Sequence, residues 1–155
     1  MKLLVDSGST KADWIAIDDN GKVLFTTQTL GLNPEVLDKE EIINRLDDKF
    51  DISHNKDKAG HLYFYGAGCG TDRMKVFLTD VFKDYFTNAK VVVHEDTYAA
   101  VYATTPKNES AIVSILGTGS NCSFFDGAVL HQKVQSLGYI AMDDCSGNRF
   151  VRHLL

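Results

Sequence analysis

Apolar and polar positions change places early in this chain. Leu3, Leu4 and Val5 form an apolar run that ends at Asp6, and a second apolar run begins at Trp14. Between them lies Ser7-Gly8-Ser9-Thr10-Lys11, small and polar throughout. The pattern predicts a strand over 3–6, a tight turn over 7–11 and a strand over 13–17. Asp18-Asp19-Asn20-Gly21 is a strong turn sequence, and 23–28 reads as a third strand, antiparallel to the second. Gly31-Leu32-Asn33-Pro34 is a loop. Pro34 suits the opening of a helix and Asn33 its N-cap. Leu37, Ile42, Ile43, Leu46 and Phe50 follow at near-helical intervals, which predicts a helix over 35–50. The polar stretch 51–60 predicts an exposed loop.

The second half of the chain alternates strands with helices. A short aromatic strand over 61–65 ends in the glycine-rich turn 66–70, and Thr71 or Asp72 caps the next helix. Met74, Phe77, Leu78, Val81, Phe82 and Tyr85 recur every three or four residues, the stripe of a helix that faces a core. A buried strand over 90–94 meets Glu95-Asp96, and 97–103 reads as a small-residue helix. Pro106-Lys107-Asn108-Glu109 is a linker. Beyond it come a strand over 110–116, the turn Gly117-Thr118-Gly119-Ser120, a strand over 121–125, and the turn Asp126-Gly127 into 128–133. Gly138-Tyr139-Ile140 and the acidic pair Asp143-Asp144 lead to Ser146, placed to cap a helix over 147–155. The order βββαβαβα predicts an α/β fold, a mixed sheet with helices packed on it. The hairpin around 117–120 repeats the logic of the opening one. Two such hairpins facing each other would clasp a polyphosphate.

Composition narrows the picture. With 155 residues, 44% of them hydrophobic, the chain can bury a core of its own. A formal net charge of −5 argues against nucleic acid and anionic membrane as partners. No apolar run approaches membrane-spanning length. An acid at position 6 comes too early for a secretory signal, so the reading is cytoplasmic. Cys69, Cys122 and Cys145 are far apart without a Cys-x-x-Cys pair, the thiol usage of a reducing compartment. The five histidines show no ligand spacing, so no transition metal is expected.

Three places could carry chemistry. In the turn 7–11, small residues let a backbone approach a ligand, and hydroxyls and amides can donate to anionic oxygens. Asp6 at the strand end could hold magnesium, through water. The same residues also suit a plain polar hairpin turn. Asp6, the 66–70 turn and Asp96 all fall at predicted strand ends, where ligands gather in such sheets. Periodicity alone does not give the strand order that would bring them to one edge. Asp96 could accept a proton in phosphoryl transfer to an alcohol, or simply cap the helix that follows.

Taken together these residues resemble a known family. The order D-x-G-x-T-K, an Asp after a buried strand, a Gly-Thr-Gly-Ser hairpin and a G-Y-x-x-x-D segment is similar to the sugar-kinase, heat-shock ATPase and actin superfamily. Within it the chain resembles the N-acetylglucosamine kinase branch of the BadF/BadG/BcrA/BcrD ATPase family, which also holds activator ATPases of reductases and dehydratases. The resemblance implies a ribonuclease H-like lobe over 1–108 and the start of a second lobe over 109–155. It implies ATP and magnesium, with Asp6 near the metal. It sets Gly8, Ser9, Thr10 and Lys11, and Gly117, Thr118, Gly119 and Ser120, around the phosphates. Asp96 is then the catalytic base for a sugar 6-hydroxyl. Asn33, Thr118 and Asp143 are then sugar contacts, although Asn33 reads equally as a helix cap and Asp143 as a solvated turn.

The chain departs from that pattern in places. Ser7 and Ser9 stand where the family favours glycine, and Met142, Asp144 and Cys145 stand where it has Gly, Glu and Gly. Family members are longer and close two lobes around the nucleotide. The resemblance therefore implies a chain inactive alone, working as a homodimer or with the missing second lobe. An activator ATPase and a non-catalytic sugar-binding regulator are the alternative readings.

Overall fold

The computed structural model describes residues 1–117, 120–132, 146, 147 and 151. β1 (Lys2–Ser7) alternates strictly, with Leu3, Val5 and Ser7 buried and Leu4 and Asp6 on the opposite face. It pairs antiparallel with β2 (Lys11–Ile17), Asp6 opposite Asp13. β2 pairs antiparallel with β3 (Val23–Leu30), with a bulge between Ala16 and Ile17. The turn between β2 and β3 is set by Asp18, whose Oδ1 accepts the Asn20 and Lys22 amides, and by Gly21 at φ +82°. On its other side β1 runs parallel to β4 (His61–Gly66), and β4 parallel to β5 (Lys90–Glu95). The sheet order is β3-β2-β1-β4-β5. This is the mixed sheet expected of a ribonuclease H-like lobe.

Helices cover one face of that sheet. α1 (Lys39–Asp47) is shorter than the 35–50 expected. Its cap is Asp38, whose Oδ1 accepts the Glu41 amide at 2.8 Å, and not Asn33. Asn33 spends its Oδ1 on the Glu35 amide at 2.9 Å, and its carbonyl accepts the Val36 amide. That local turn competes with helix and delays it by one turn. The stretch 51–60 is not the exposed loop expected. α2 (Phe50–Ser53) and one 3₁₀ turn (Lys56–Lys58) run through it, because Ile52 and Ala59 are buried against the core. α3 (Asp72–Tyr85) is capped by Thr71 and buries Met74, Leu78, Val81, Phe82 and Tyr85, the stripe read from the sequence. Phe82 tilts against Phe64 of β4 at 5.0 Å between centroids, and Phe86 lies 6.3 Å from Trp14 of β2. Leu4, Ile15 and Val92 on the opposite sheet face are exposed.

The chain divides into two compact units, Met1–Asp96 and Thr97–Leu155. α4 (Asp96–Thr104) follows β5 directly. In the second unit β6 (Ala111–Leu116), β7 (Ser120–Phe125) and β8 (Leu130–His131) form an antiparallel sheet in chain order. Among the described residues Val101, Val113 and Phe125 form its buried cluster, and the Tyr98 hydroxyl accepts the Leu130 amide at 3.2 Å. After the Asp126-Gly127 turn, β8 is two residues long as described. Asp126 Oδ1 holds the Ala128 and Val129 amides in the turn. Of the helix expected over 147–155, Gly147 and Val151 are helical. Its other residues, and Asp143, lie outside the described residues.

Candidate functional site

Parallel pairing aligns the ends of three strands. Ser7 of β1 pairs with Gly66 of β4, which pairs with Glu95 of β5. The turn 7–11, the glycine-rich segment 66–70 and Asp96 therefore leave one edge of one sheet. The Ser7 carbonyl accepts the Ala67 amide at 2.8 Å, and the turn itself is closed by the Gly8 amide on the Lys11 carbonyl at 2.9 Å. This is the edge at which such sheets gather ligands.

The segment carrying Asn33 packs against both turns. The Gly31 amide donates to the Thr10 carbonyl at 2.9 Å, and a Cβ on Gly31 would stand 2.5 Å from the Gly8 and Ser9 carbonyl oxygens. Arg45 of α1 donates from Nη1 to the Gly31 carbonyl at 2.5 Å and from Nε to Glu41 at 2.7 Å. Gly68 sits at φ +81°, and a Cβ there would come within 2.0 Å of Asn33 Oδ1. Only glycine lets the 66–70 turn lie this close to Asn33.

On the face opposite α1, α2 and α3, register builds a polar row across the sheet. Gln28, Asp13, Asp6, Tyr65 and His94 are successive partners. Partial burial, and then the charge of Asp13, raise the Asp6 carboxyl above its ordinary range, against the pull of Lys11. Asp13 is lowered by its bonds to Lys11, at 2.9 Å, and to Gln28. Two carboxylates on neighbouring strands are a hard-oxygen donor pair of the kind magnesium accepts. Among the described residues no group of three or more His, Cys, Asp or Glu is placed to hold a metal. Lys11, read as part of the phosphate turn, is the first residue of β2 and has its ammonium on Asp13.

Asp96 is the first residue of α4. Its charge is felt at Cys69: burial, then Asp96, push the buried Cys69 thiol up to about 12. Lys75, Glu95 and Glu35 act on the same thiol, and Lys75 also helps hold His94 below its usual value, after burial. Lys75, in the first turn of α3 and bonded to Asp72 at 3.4 Å, is a cation near this edge that sequence reasoning passed over. Asp13 was missed too, although it mirrors Asp6 about the 7–11 turn.

The second predicted hairpin is described only at its two ends. Leu116 pairs with Ser120, and the Gly117 carbonyl accepts the Gly147 amide at 2.8 Å. A Cβ on Gly117 would meet nothing within 4 Å, so its outer side is open. Thr118 and Gly119 lie outside the described residues. A cleft of about 320 Å³ in the second unit, between Val101, Tyr102, Pro106 and Phe125, contains none of the predicted site residues.

No family model matches the sequence, and no curated protein does. Solved structures do match. A protein from Porphyromonas gingivalis, named a putative N-acetylglucosamine kinase, shares 36% identity at a TM-score of 0.87, over 99% of this chain and 56% of its own. The inorganic polyphosphate/ATP-glucomannokinase of an Arthrobacter strain matches at 18% identity and TM-score 0.61, over all of this chain and 72% of its own. A ROK family protein from Streptococcus pneumoniae, solved with sucrose, matches at 17% identity and TM-score 0.56, over 98% of this chain and 61% of its own. The fold is that of the sugar-kinase and actin-like ATPase superfamily. The chain spans just over half the length of the Porphyromonas protein.

Proposed function

We propose that this chain is the N-terminal part of an ATP-dependent sugar kinase. Its substrate would be N-acetylglucosamine or a related amino sugar, phosphorylated at the 6-hydroxyl, and its branch the BadF/BadG/BcrA/BcrD ATPases. The observation that carries the reading is the strand register that sends the 7–11 turn and Asp96 to one sheet edge. The 36% identity with the Porphyromonas protein, held over 99% of this chain, supports the choice of sugar.

In this reading each residue has a stated task. Amides and hydroxyls of Gly8, Ser9 and Thr10 donate to the phosphate oxygens, and Gly117, Thr118, Gly119 and Ser120 do so from the second unit. Asn33, with its Oδ1 already spent on Glu35, offers its Nδ2 donors to a sugar oxygen. Thr118 and Asp143 complete the sugar contacts. Asp96 accepts the proton of the attacking hydroxyl, and its place at the strand-to-helix junction fixes its direction. Asp6 faces the metal through water, and a divalent cation there relieves the crowding of Asp6 by Asp13. Magnesium with ATP supplies charge neutralisation at the transferred phosphoryl group. The adenosine pocket belongs to a second lobe, from the same protein or from a second copy of this chain, and the site is cytoplasmic.

Asp96→Asn tests the reading. In the protein carrying both lobes it should lower phosphate transfer by about 10²–10⁴-fold, the usual share of a catalytic base. The sugar dissociation constant, by titration calorimetry, should stay near the wild-type value. Transfer that survives the substitution overturns the role of Asp96. The 155 residues alone should show negligible turnover with ATP, magnesium and N-acetylglucosamine in a coupled assay. Full turnover would overturn the division of the site between two lobes.

A further inference from the structure

We propose that Ser7 is a positioning residue that ties the phosphate turn to the segment carrying Asn33, so that binding at one is felt at the other. The proposal rests on the kinase reading above, which assigns phosphate to the turn and sugar to Asn33.

The alternation of β1 sends Ser7 to the helix-covered side of the sheet, beside Leu3 and Val5, where it is fully buried. A hydroxyl in such a place must be paired. It is paired twice: Ser7 Oγ accepts the Leu32 amide at 2.9 Å and donates to the Gly8 carbonyl at 3.3 Å. Leu32 is itself fully buried, so its amide needs an acceptor from the protein. The result is a two-bond chain from the Leu32 amide, next to Asn33, through the serine to a peptide of the turn. The Gly31 amide on the Thr10 carbonyl gives the two segments a second joint, and the Ser7 carbonyl on the Ala67 amide anchors the same residue to the 66–70 turn.

A ligand that reorients the Gly8 peptide moves the acceptor of the Ser7 hydroxyl, and with it the acceptor of the Leu32 amide. Asn33 is the next residue. Glycine at this position would have no hydroxyl and could not carry the link.

The test is a coupling measurement on the protein carrying both lobes. Titration calorimetry gives the dissociation constant of N-acetylglucosamine with and without a saturating non-hydrolysable ATP analogue and magnesium, in wild type, Ser7→Ala and Ser7→Gly. In wild type the nucleotide should change sugar affinity by about fivefold or more, and in both variants the ratio should return to within about twofold of one. Each ligand alone should bind the variants nearly as before. A merely structural role would lower the melting temperature and leave the ratio where it was. Amide exchange provides a readout independent of ligands: the Leu32 amide should exchange about tenfold faster in Ser7→Ala, with β2 and β4 amides unchanged. Retained coupling in the variants, unchanged Leu32 protection, or no coupling in a wild type that binds both ligands overturns the proposal. A wild type that binds no sugar overturns the kinase reading, and this inference with it.

Discussion

Asp6 and Asp13 show how two identical side chains take opposite characters from their neighbours. Asp13 has Lys11 and Gln28 and is held low; Asp6 has burial and Asp13 and is held high. A carboxyl raised by folding adds stability below its unfolded value and loses it as pH rises through the folded one. Asp13→Asn removes the like charge, so Asp6 should titrate at a lower pH than in wild type, followed by its carboxyl carbon resonance. An unmoved titration would mean that Asp13 is not felt. His94 runs the other way: burial, then Lys75, hold it below its usual 6.5. The unfolded chain takes the proton first, so stability falls as pH drops below about 6.5 toward the folded value. His94→Gln should flatten that part of the profile, seen in urea melts at pH 5 and pH 7, and an unchanged slope would place the titration elsewhere. The place of Asp96 at the end of β5 was legible at this scale because the acidic pair Glu95-Asp96 breaks an apolar run. Asp13 and Lys75 were not, since each matters only through a partner on another element.

At the scale of elements, strands were easier to read than helix starts. Short apolar and aromatic runs bounded by turn residues mark strands directly, and β1, β4 and β5 fall within a residue or so of the spans these runs predict. The start of α1 was misread because Asn33-Pro34 and Asp38 both offer cap chemistry, and the choice between them is made by tertiary packing of the Asn33 turn on Gly68. Two substitutions separate the roles. Asp38→Ala should cost about 1 kcal/mol of stability by removing the cap of α1. Asn33→Ala should leave the helix content of α1 intact, checked by circular dichroism and thermal melting. If Asn33→Ala shortens the helix and Asp38→Ala does not, the assignment of the cap is wrong. Gly68→Ala joins a positive φ to a Cβ that would stand 2.0 Å from Asn33 Oδ1, so the Asn33 turn has to move. A loss of about 1–3 kcal/mol is expected, in the range of a non-glycine residue forced into such a backbone.

For the whole molecule, the two units differ in how much they bury. The first unit packs three helices onto five strands, with Trp14, Phe64, Phe82 and Phe86 fully buried between them. Among its described residues the second buries Val101, Val113 and Phe125, while Ile112, Leu116 and Phe124 on β6 and β7 stay 75%, 68% and 42% exposed. Three strands with a covered face of that size are near the lower limit for independent stability. Sequence patterning showed both hairpins but not this difference, because an apolar residue on a strand reads the same whether or not anything covers it. Local opening follows buried apolar contact, so amides of β6 and β7 should exchange at least about tenfold faster than those of β1 and β4. Urea should likewise melt the second unit first, with the tryptophan signal of Trp14 lagging behind the loss of β6 and β7 protection. A single shared transition at both probes would mean that the two units fold as one.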